Sequence, residues 1–497
     1  MSDIARDTEV LIVGAGPVGL FLANECARRG LHARLIEARP MQSVHSRALA
    51  IFPRTLEIFD MAGVAAPFLA IANRVTSVAI ASRNQALAQI PFTPEQSPYP
   101  FIAMVPQNVT EQLLAEAFER RGGCVEYQTT FVSAQQQSGS LLVHVDSGGR
   151  QVHFRARVLI GCDGAHSAVR HWLNIPFAGA QYTTLFLLAD IEANDALPAD
   201  QLQLCPSEFG PVAIFPISAT RRRIVATIDD PIGEVPSLEL VQKIVRQRAP
   251  KGFEAHSLHW SSYFKVQRRH AAGLQVGAAF IAGDAAHIHS PFGGQGMNTG
   301  LHDVWNLVWK LDLFLRGHSP RRLLDTYSAE RLPVIKNVIA TTDRLTKVLG
   351  AQGKMVQTMR NAIIPVVSRL EPFQHRMVQR LSELGISYAG SSLVDGSGMR
   401  YLEPSMRGGK GILSRFVLFV GSANSPTTKM AAEAMCRAMG DVAECRVAPG
   451  QGVALVRPDG YSAYASSRDG GAPMLTVVRA LLKRQTHAQF SVHAEAV

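Results

Sequence analysis

Three short stretches of the chain place glycines at the end of an apolar run, and two of them carry a carboxylate as well. The first is Gly14-Ala15-Gly16-Pro17-Val18-Gly19, which follows the apolar residues 9–14 and precedes a helical pattern over residues 18–29. In such a turn the first glycine permits a tight bend, the second lets backbone approach a pyrophosphate, and the third lets helix pack closely on strand. The helix start contributes about half a positive charge and free N–H donors. Glu37 closes the next apolar run, Ala33–Glu37, where a carboxylate accepts hydrogen bonds from ribose hydroxyls. This unit does not by itself distinguish FAD from NAD.

The second stretch is Gly283-Asp284-Ala285-Ala286-His287, continuing through Ser290-Pro291-Phe292-Gly293-Gly294-Gln295-Gly296-Met297-Asn298 into a helix. Asp284 can hold a polyol hydroxyl, and the backbone of Gly296–Asn298 can present N–H groups to a polar ring edge. His287 and His289 lack a nearby third ligand, so no metal is expected. The third stretch runs from Gly161 to Arg170, Gly-Cys-Asp-Gly-Ala-His-Ser-Ala-Val-Arg. Asp163 sits between a strand end and a helix start, a position from which an acid often faces a ligand, and Ser167 reads equally as a helix cap.

The elements that must carry these residues follow from hydrophobic period. Residues 9–14, 18–29 and 33–37 form a β-α-β unit. A strand-like pattern covers 75–90. Asn108–Arg121 reads as an amphipathic helix with Asn108 as its cap. Residues 175–265 are strand-rich, with strands expected at Thr184–Ile191, Val212–Pro216, Arg223–Ile228 and Ser257–Lys265, and one helix at Leu238–Arg248. Residues 294–385 are mostly helical. The Gly/Ser-rich segment Gly390–Gly411 reads as a linker to a small α/β module.

At 497 residues the chain exceeds what one hydrophobic core usually serves, so about three domains are expected. Its 47% hydrophobic and 18% charged residues exclude a mainly disordered chain. No apolar run is long and uncharged enough for a membrane span, and no secretory leader is read at the start. The six cysteines are scattered without a C-x-x-C pair, which speaks against a disulfide framework or zinc site and for a reduced, cytoplasmic compartment. The net charge of +10 suits anionic cofactors. Its clusters Arg221–Arg223 and Arg321–Arg322 lack interleaved aromatics and read as solvated charges, so nucleic acid is not expected as a partner.

In order and spacing, the three motifs resemble those of the single-component flavin-dependent aromatic hydroxylases, the group that includes para-hydroxybenzoate and phenol hydroxylases. The likeness spans roughly residues 8–345. It implies a Rossmann-like FAD-binding domain over 1–174 and 266–390, with an inserted antiparallel-sheet substrate domain over 175–265. FAD would be met by Gly14, Gly16, Pro17, Val18 and Gly19 at the pyrophosphate, and by Glu37, Ala38 and Arg39 at the adenosine. Arg47 would lie near the flavin, Gln107 near the ribityl chain, and Gly283 and Asp284 near the pyrophosphate–ribityl region. Pro291, Gly294, Gly296, Met297 and Asn298 would line the isoalloxazine. Asp163 belongs to a motif associated with both FAD and NAD(P)H. Arg47 and Pro291 are the implied catalytic positions. Residues 391–497, with Arg457-Pro458-Asp459-Gly460-Tyr461, resemble the thioredoxin-like C-terminal domain of phenol, hydroxyphenylpropionate and aromatic polyketide hydroxylases. Without C-x-x-C, thiol–disulfide chemistry is not expected there, and a packing or homodimer role is.

The implied reaction uses NADPH or NADH and O2 to hydroxylate a phenolic ring through a flavin C4a-hydroperoxide. The apolar runs Leu185–Leu188 and Val212–Phe215 favour a hydrophobic, multi-ring substrate, with Tyr182, Phe215 and Tyr263 as aromatic candidates for its wall. Two rival readings stand beside this one: oxygen insertion beside a ketone or alkene epoxidation on the same scaffold, and a non-catalytic FAD-binding protein. Trp305 and Trp309 share a helix face and read as core, outside the W-x-W-x-I-P context of flavin halogenases.

Overall fold

The computed structural model describes residues 7–43, 46–83, 85–94, 96–290, 293–350, 354–409, 413–469 and 471–486. Its first sheet carries a parallel core. The strands Ala279–Ile281, Arg150–Gly161, Thr8–Val13, Ala33–Ile36 and Val125–Glu126 lie side by side in that order, all parallel. Central strands of such a sheet are covered on both faces, which is why Val10, Leu11 and Ile12 are fully buried with no polar alternation. All three motifs leave the carboxyl ends of neighbouring strands, Thr8–Val13, Arg150–Gly161 and Ala279–Ile281, so the parallel register alone brings them together.

A second sheet of eight strands stands beside the first. Its order is His287–Ile288, Ala255–Ala271, Phe177–Ala193, Arg221–Ile228, Val212–Pro216, Gln201–Cys205, Ser77–Ser82 and Gln85–Pro91. The two long strands run on from the first sheet's loops. The edge strand His287–Ile288 belongs to the second motif, so that motif ends one sheet and borders the other. The pattern over 75–90 is a hairpin of two strands, and both join this second sheet although they precede residue 174. One face of the sheet packs on the helix Leu238–Arg248 through Leu187, Ile191, Ile214 and Ile224; the other carries Phe186, Leu188, Phe215 and Val225.

The helix Gly296–Leu315 runs through the centre and is buried on nearly every side. Such a helix must satisfy its polar residues internally. Asn298 receives the Phe52 amide at 3.0 Å and donates to the Ala50 carbonyl at 2.9 Å. Trp305 and Trp309 are core residues, as expected. The helix expected from Asn108 begins at Gln107 behind Pro106, with no side-chain cap. Proline supplies the fixed φ there, and its carbonyl opens the helix.

The C-terminal module has a four-stranded sheet, Ala443–Ala448, Phe416–Gly421, Val453–Val456 and Ser462–Ser466, flanked by the helices Pro426–Ala438 and Gly471–Gln485. The segment read as a linker is docked: Leu393 and Met406 are buried, Arg400 meets Glu57 at 3.2 Å and Arg407 meets Asp60 at 2.7 Å. The Arg-Pro-Asp-Gly-Tyr turn meets this segment, the Tyr401 amide donating to the Gly460 carbonyl at 2.8 Å, and is itself anchored to the core. Arg457 bridges Glu330 at 2.7 Å and Asp459 at 2.6 Å, all three buried, while the Asp459 carbonyl accepts from Trp305 Nε1 at 3.0 Å.

Candidate active site

Two helix N-termini converge on one cavity of about 330 Å³. The helix Pro17–Arg28 and the helix Gly296–Leu315 both start without a side-chain cap and without an acid in the first turn. Their free amides and dipoles therefore face the cavity unneutralised, an arrangement that suits a polyanion and an electron-rich ring edge. Gly14 takes φ +101°, and a Cβ there would lie 2.6 Å from the Cys162 carbonyl oxygen. At Gly19 a Cβ would meet the Gly14 oxygen at 1.9 Å. At Gly16, by contrast, nothing lies within 4 Å, leaving open space beside the backbone at the cavity wall.

The walls collect residues far apart in sequence. Gly16, Pro17, Val18, Arg47, Gln107, Asp284, Gly294, Gly296, Met297 and Phe215 all line the cavity. Glu37 stands behind the first turn, its Oε2 accepting from the Ala15 amide at 2.8 Å and its Oε1 from the Arg39 amide at 3.0 Å. Burial opposes ionisation, but the Arg39 side chain and these two amides outweigh it and hold the carboxyl below its ordinary range. Asp284 is exposed to the cavity. Desolvation by the protein packed around that cavity raises its carboxyl above the ordinary range, against the pull of His287 and Arg47. Gln107 accepts from the Ala48 amide at 3.0 Å and its own amide donates to Ser46 Oγ at 2.9 Å, pinning the loop that carries Arg47.

Asp163 accepts from the Val169 amide at 3.1 Å through Oδ2, while its buried Oδ1 has no hydrogen-bond partner. Burial raises its carboxyl. Ser167 is an ordinary cap, accepting from the Arg170 amide at 2.9 Å. Arg170 ties the third motif to the second by donating to the Ala285 carbonyl at 2.9 Å. Gly14, Gly19, Glu37, Ala38, Arg39, Asp163, Gly283 and Asn298 support the cavity without lining it. Tyr263 lies on the opposite face of the second sheet, its hydroxyl donating to the Ile232 carbonyl at 2.8 Å. Pro291 and the side chain of Tyr182 lie outside the described residues.

Arg222 and Arg223, expected to be solvated, are buried, at 1% and 2% exposure. Arg223 pairs with Asp190 through two parallel bonds of 2.7 and 2.8 Å and also donates to the carbonyls of Arg47 at 2.9 Å and Ala48 at 3.1 Å. It thus lines the cavity and fastens the second sheet to the Arg47 loop. The missed signal was Asp190: an acid within the apolar run 185–191 requires a buried partner, and the register sets Asp190 directly opposite Arg223. His287, expected to have no metal role, donates its Nε2–H to Asp303 Oδ2 at 2.7 Å, and Asp303 also receives Arg331 at 2.7 Å. His289 lines the cavity; burial and the neighbouring His287 push its imidazole down to about 4, so it is neutral. Among the described residues no group of three side chains could hold a metal, and no described helix is long and apolar enough to cross a membrane.

Residues 7–342 match the FAD binding domain family. The chain belongs to that family. It is 30% identical to the 6-methylpretetramide 4-monooxygenase of Streptomyces rimosus, over 96% of this chain and 94% of the relative. It is 31% identical to the pentachlorophenol 4-monooxygenase of Sphingobium chlorophenolicum, over 70% of this chain and 66% of that one. Among solved structures it is similar to the anhydrotetracycline hydroxylase of Streptomyces rimosus, with a TM-score of 0.76 and 26% identity, covering 97% of this chain and 99% of that one. This member of the family is a flavin-dependent monooxygenase, with FAD as its cofactor and NAD(P)H and O2 as co-substrates.

Proposed function

We propose that the chain hydroxylates a hydrophobic, fused-ring phenol held between the flavin and the second sheet. The observation that carries this reading is the asymmetry of the cavity: two uncapped helix ends on one side, and Leu49, Leu188, Phe215 and Val225 on the other. The polar side fits FAD. Gly16, Pro17 and Val18 would cradle the pyrophosphate on the turn that Gly14 and Gly19 shape, Glu37, Ala38 and Arg39 would meet the adenosine, Gln107 and Asp284 the ribityl region, and Gly294, Gly296 and Met297 the ring, with Arg47 beside it and Asn298 holding the backbone behind it. When bound, FAD takes electrons from NAD(P)H and lends one atom of O2 to the substrate. The chain's own share is to position the ring and exclude water, which the apolar wall does. Arg223 holds the Arg47 loop, and the uncapped helix ends favour an electron-rich flavin edge.

The relatives named for 6-methylpretetramide and anhydrotetracycline support a substrate of several rings. The second sheet, drawn from residues 77–91 and 287–288 as well as 177–271, would act as the substrate domain; the module after residue 390 would be the thioredoxin-like one. Its free thiols accord with a cytoplasmic home. Its role here is packing through Arg457, and a homodimer is the assembly to test by light scattering. The function itself is tested by following NADPH and NADH oxidation in air with phenols, naphthols and polyketide-like quinols, with products taken to mass spectrometry. Stimulated oxidation with one oxygen gained on an aromatic ring is expected. Oxygen gained beside a ketone would replace hydroxylation by insertion chemistry.

A further inference from the structure

The helix Lys354–Val367 turns its apolar stripe outward. Met359, Ile363 and Val366 share one face at steps of four and three residues, and Leu370 continues the line where the backbone carries the turn past the helix end. All four are between 53% and 66% exposed. Val348 and Phe373 are exposed on the neighbouring helices Arg322–Gly350 and Glu371–Leu381. Gln357, Asn361, Ile364 and Ser368 hold the opposite face at the same spacing, and these are the half-buried or buried ones. A helix that packs by its more polar face leaves its apolar face for a partner.

The charge beside the stripe is of one sign. Residues 344–370 contain five basic residues and no acidic one. Of the five, Arg344, Lys347 and Arg369 are exposed. The flanking acids are Glu371 and Asp343, and Asp343 is buried and paired with Arg268 at 2.7 Å and Lys347 at 3.0 Å. A groove runs between the hairpin 77–91 and the turn 368–374; among the described residues lining it, Arg83, Lys251 and Arg369 are charged and no carboxylate occurs. We propose that the helix Lys354–Val367 and the turn that follows it dock on an anionic lipid bilayer. With 14 residues the helix is too short to cross a bilayer. It lies in the interface plane, with the apolar stripe among acyl chains and the basic groups among phosphates. A second copy of the chain fits this face less well, because a two-fold contact would set the same unneutralised cations against each other. The helix Glu371–Leu381 leads from the stripe to the substrate wall, where Val378 shares a cluster with Leu188 and Phe215. The docked face thus adjoins the wall of the substrate cavity, although the docking itself does not rest on which substrate sits there.

The test is sedimentation of the full-length holoenzyme with vesicles of phosphatidylcholine alone and of phosphatidylcholine mixed with phosphatidylglycerol. Binding to the anionic vesicles is expected to be at least about tenfold tighter than to the neutral ones, and to weaken as salt is raised. Met359→Ser, Ile363→Ser and Val366→Ser combined should abolish sedimentation while flavin content and Tm stay unchanged, because these side chains face water in the free protein. Arg344→Gln with Arg369→Gln should weaken anionic binding and flatten its salt dependence with the stripe intact. Equal binding to both vesicle types, binding to neither, or a triple variant that still sediments overturns the proposal. Light scattering in which the triple variant turns a dimer into a monomer also overturns it and assigns the stripe to a second copy. A lowered Tm of the triple variant overturns it too, by showing the stripe covered within the chain. Vesicle binding is read without substrate, so failure of the hydroxylase reading leaves this test standing.

Discussion

At the residue scale, the glycine turn and the Arg223 clamp make separate demands. Gly14 combines positive φ with a carbonyl where Cβ would be, so Gly14→Ala faces both strain and collision. We expect a cost of roughly 2 kcal/mol or more, and a purified protein depleted of yellow flavin, read as the ratio of flavin to protein absorbance. Arg223 is different, because its geometry rather than its bulk matters. Arg223→Lys keeps the charge but gives up the two parallel bonds to Asp190 and the fork that reaches the Arg47 loop. A fall in FAD affinity of about tenfold, near 1.4 kcal/mol, is expected from fluorescence titration of the apoprotein. Arg223→Met should do more harm to stability, since Asp190 would remain buried without its partner.

At the element scale, the central helix Gly296–Leu315 depends on polar groups packed around its first turns. Glu383 sits there, buried, with His302 Nε2 at 3.5 Å. Burial pushes its carboxyl from the ordinary 4.5 up to about 8, with Arg331 opposing and Asp303 assisting. A carboxyl raised on folding takes up a proton that the unfolded chain would release. Its contribution to stability is complete below pH 4.5 and is lost as pH rises through about 8. Urea unfolding at pH 6 and pH 9 should therefore show a weakening at the higher pH that Glu383→Gln reduces. Asn298→Ala would strand the Phe52 amide and the Ala50 carbonyl, at a cost of about 1–3 kcal/mol, read as a lowered Tm.

At the scale of the whole molecule, the C-terminal module is fastened to the flavin half by buried charge. Arg457 neutralises Glu330 and Asp459, and Lys310 adds a bond to Glu330 at 2.8 Å. Replacing Arg457 by alanine would leave two carboxylates buried against one lysine. A loss of about 3–5 kcal/mol is expected, with flavin released at a lower temperature than from the wild type, since Trp305 and Asn306 of the central helix donate to the Asp459 carbonyl and to Glu330. A Tm unchanged by Arg457→Ala would show that the module is merely tethered.

The sequence alone determined the parts that depend on local rules. The glycine turn after Val13, the acid at Glu37, the second turn from Gly283 and most helices follow from period, breakers and spacing, because those signals lie within one or two turns of chain. Tertiary structure decided what depends on residues meeting from afar. It buried Arg222 and Arg223, since only strand register could show that Asp190 stands opposite Arg223. It turned Tyr263 away from the cavity and Phe215 toward it, because a sheet's two faces look alike in an alternating pattern until packing selects one. It drew the hairpin 77–91 into the second sheet, and it docked the Gly/Ser-rich segment through Arg400 and Arg407, whose partners lie more than three hundred residues away. Short-range chemistry writes the turns; pairing of buried charge and the choice of sheet face write the site.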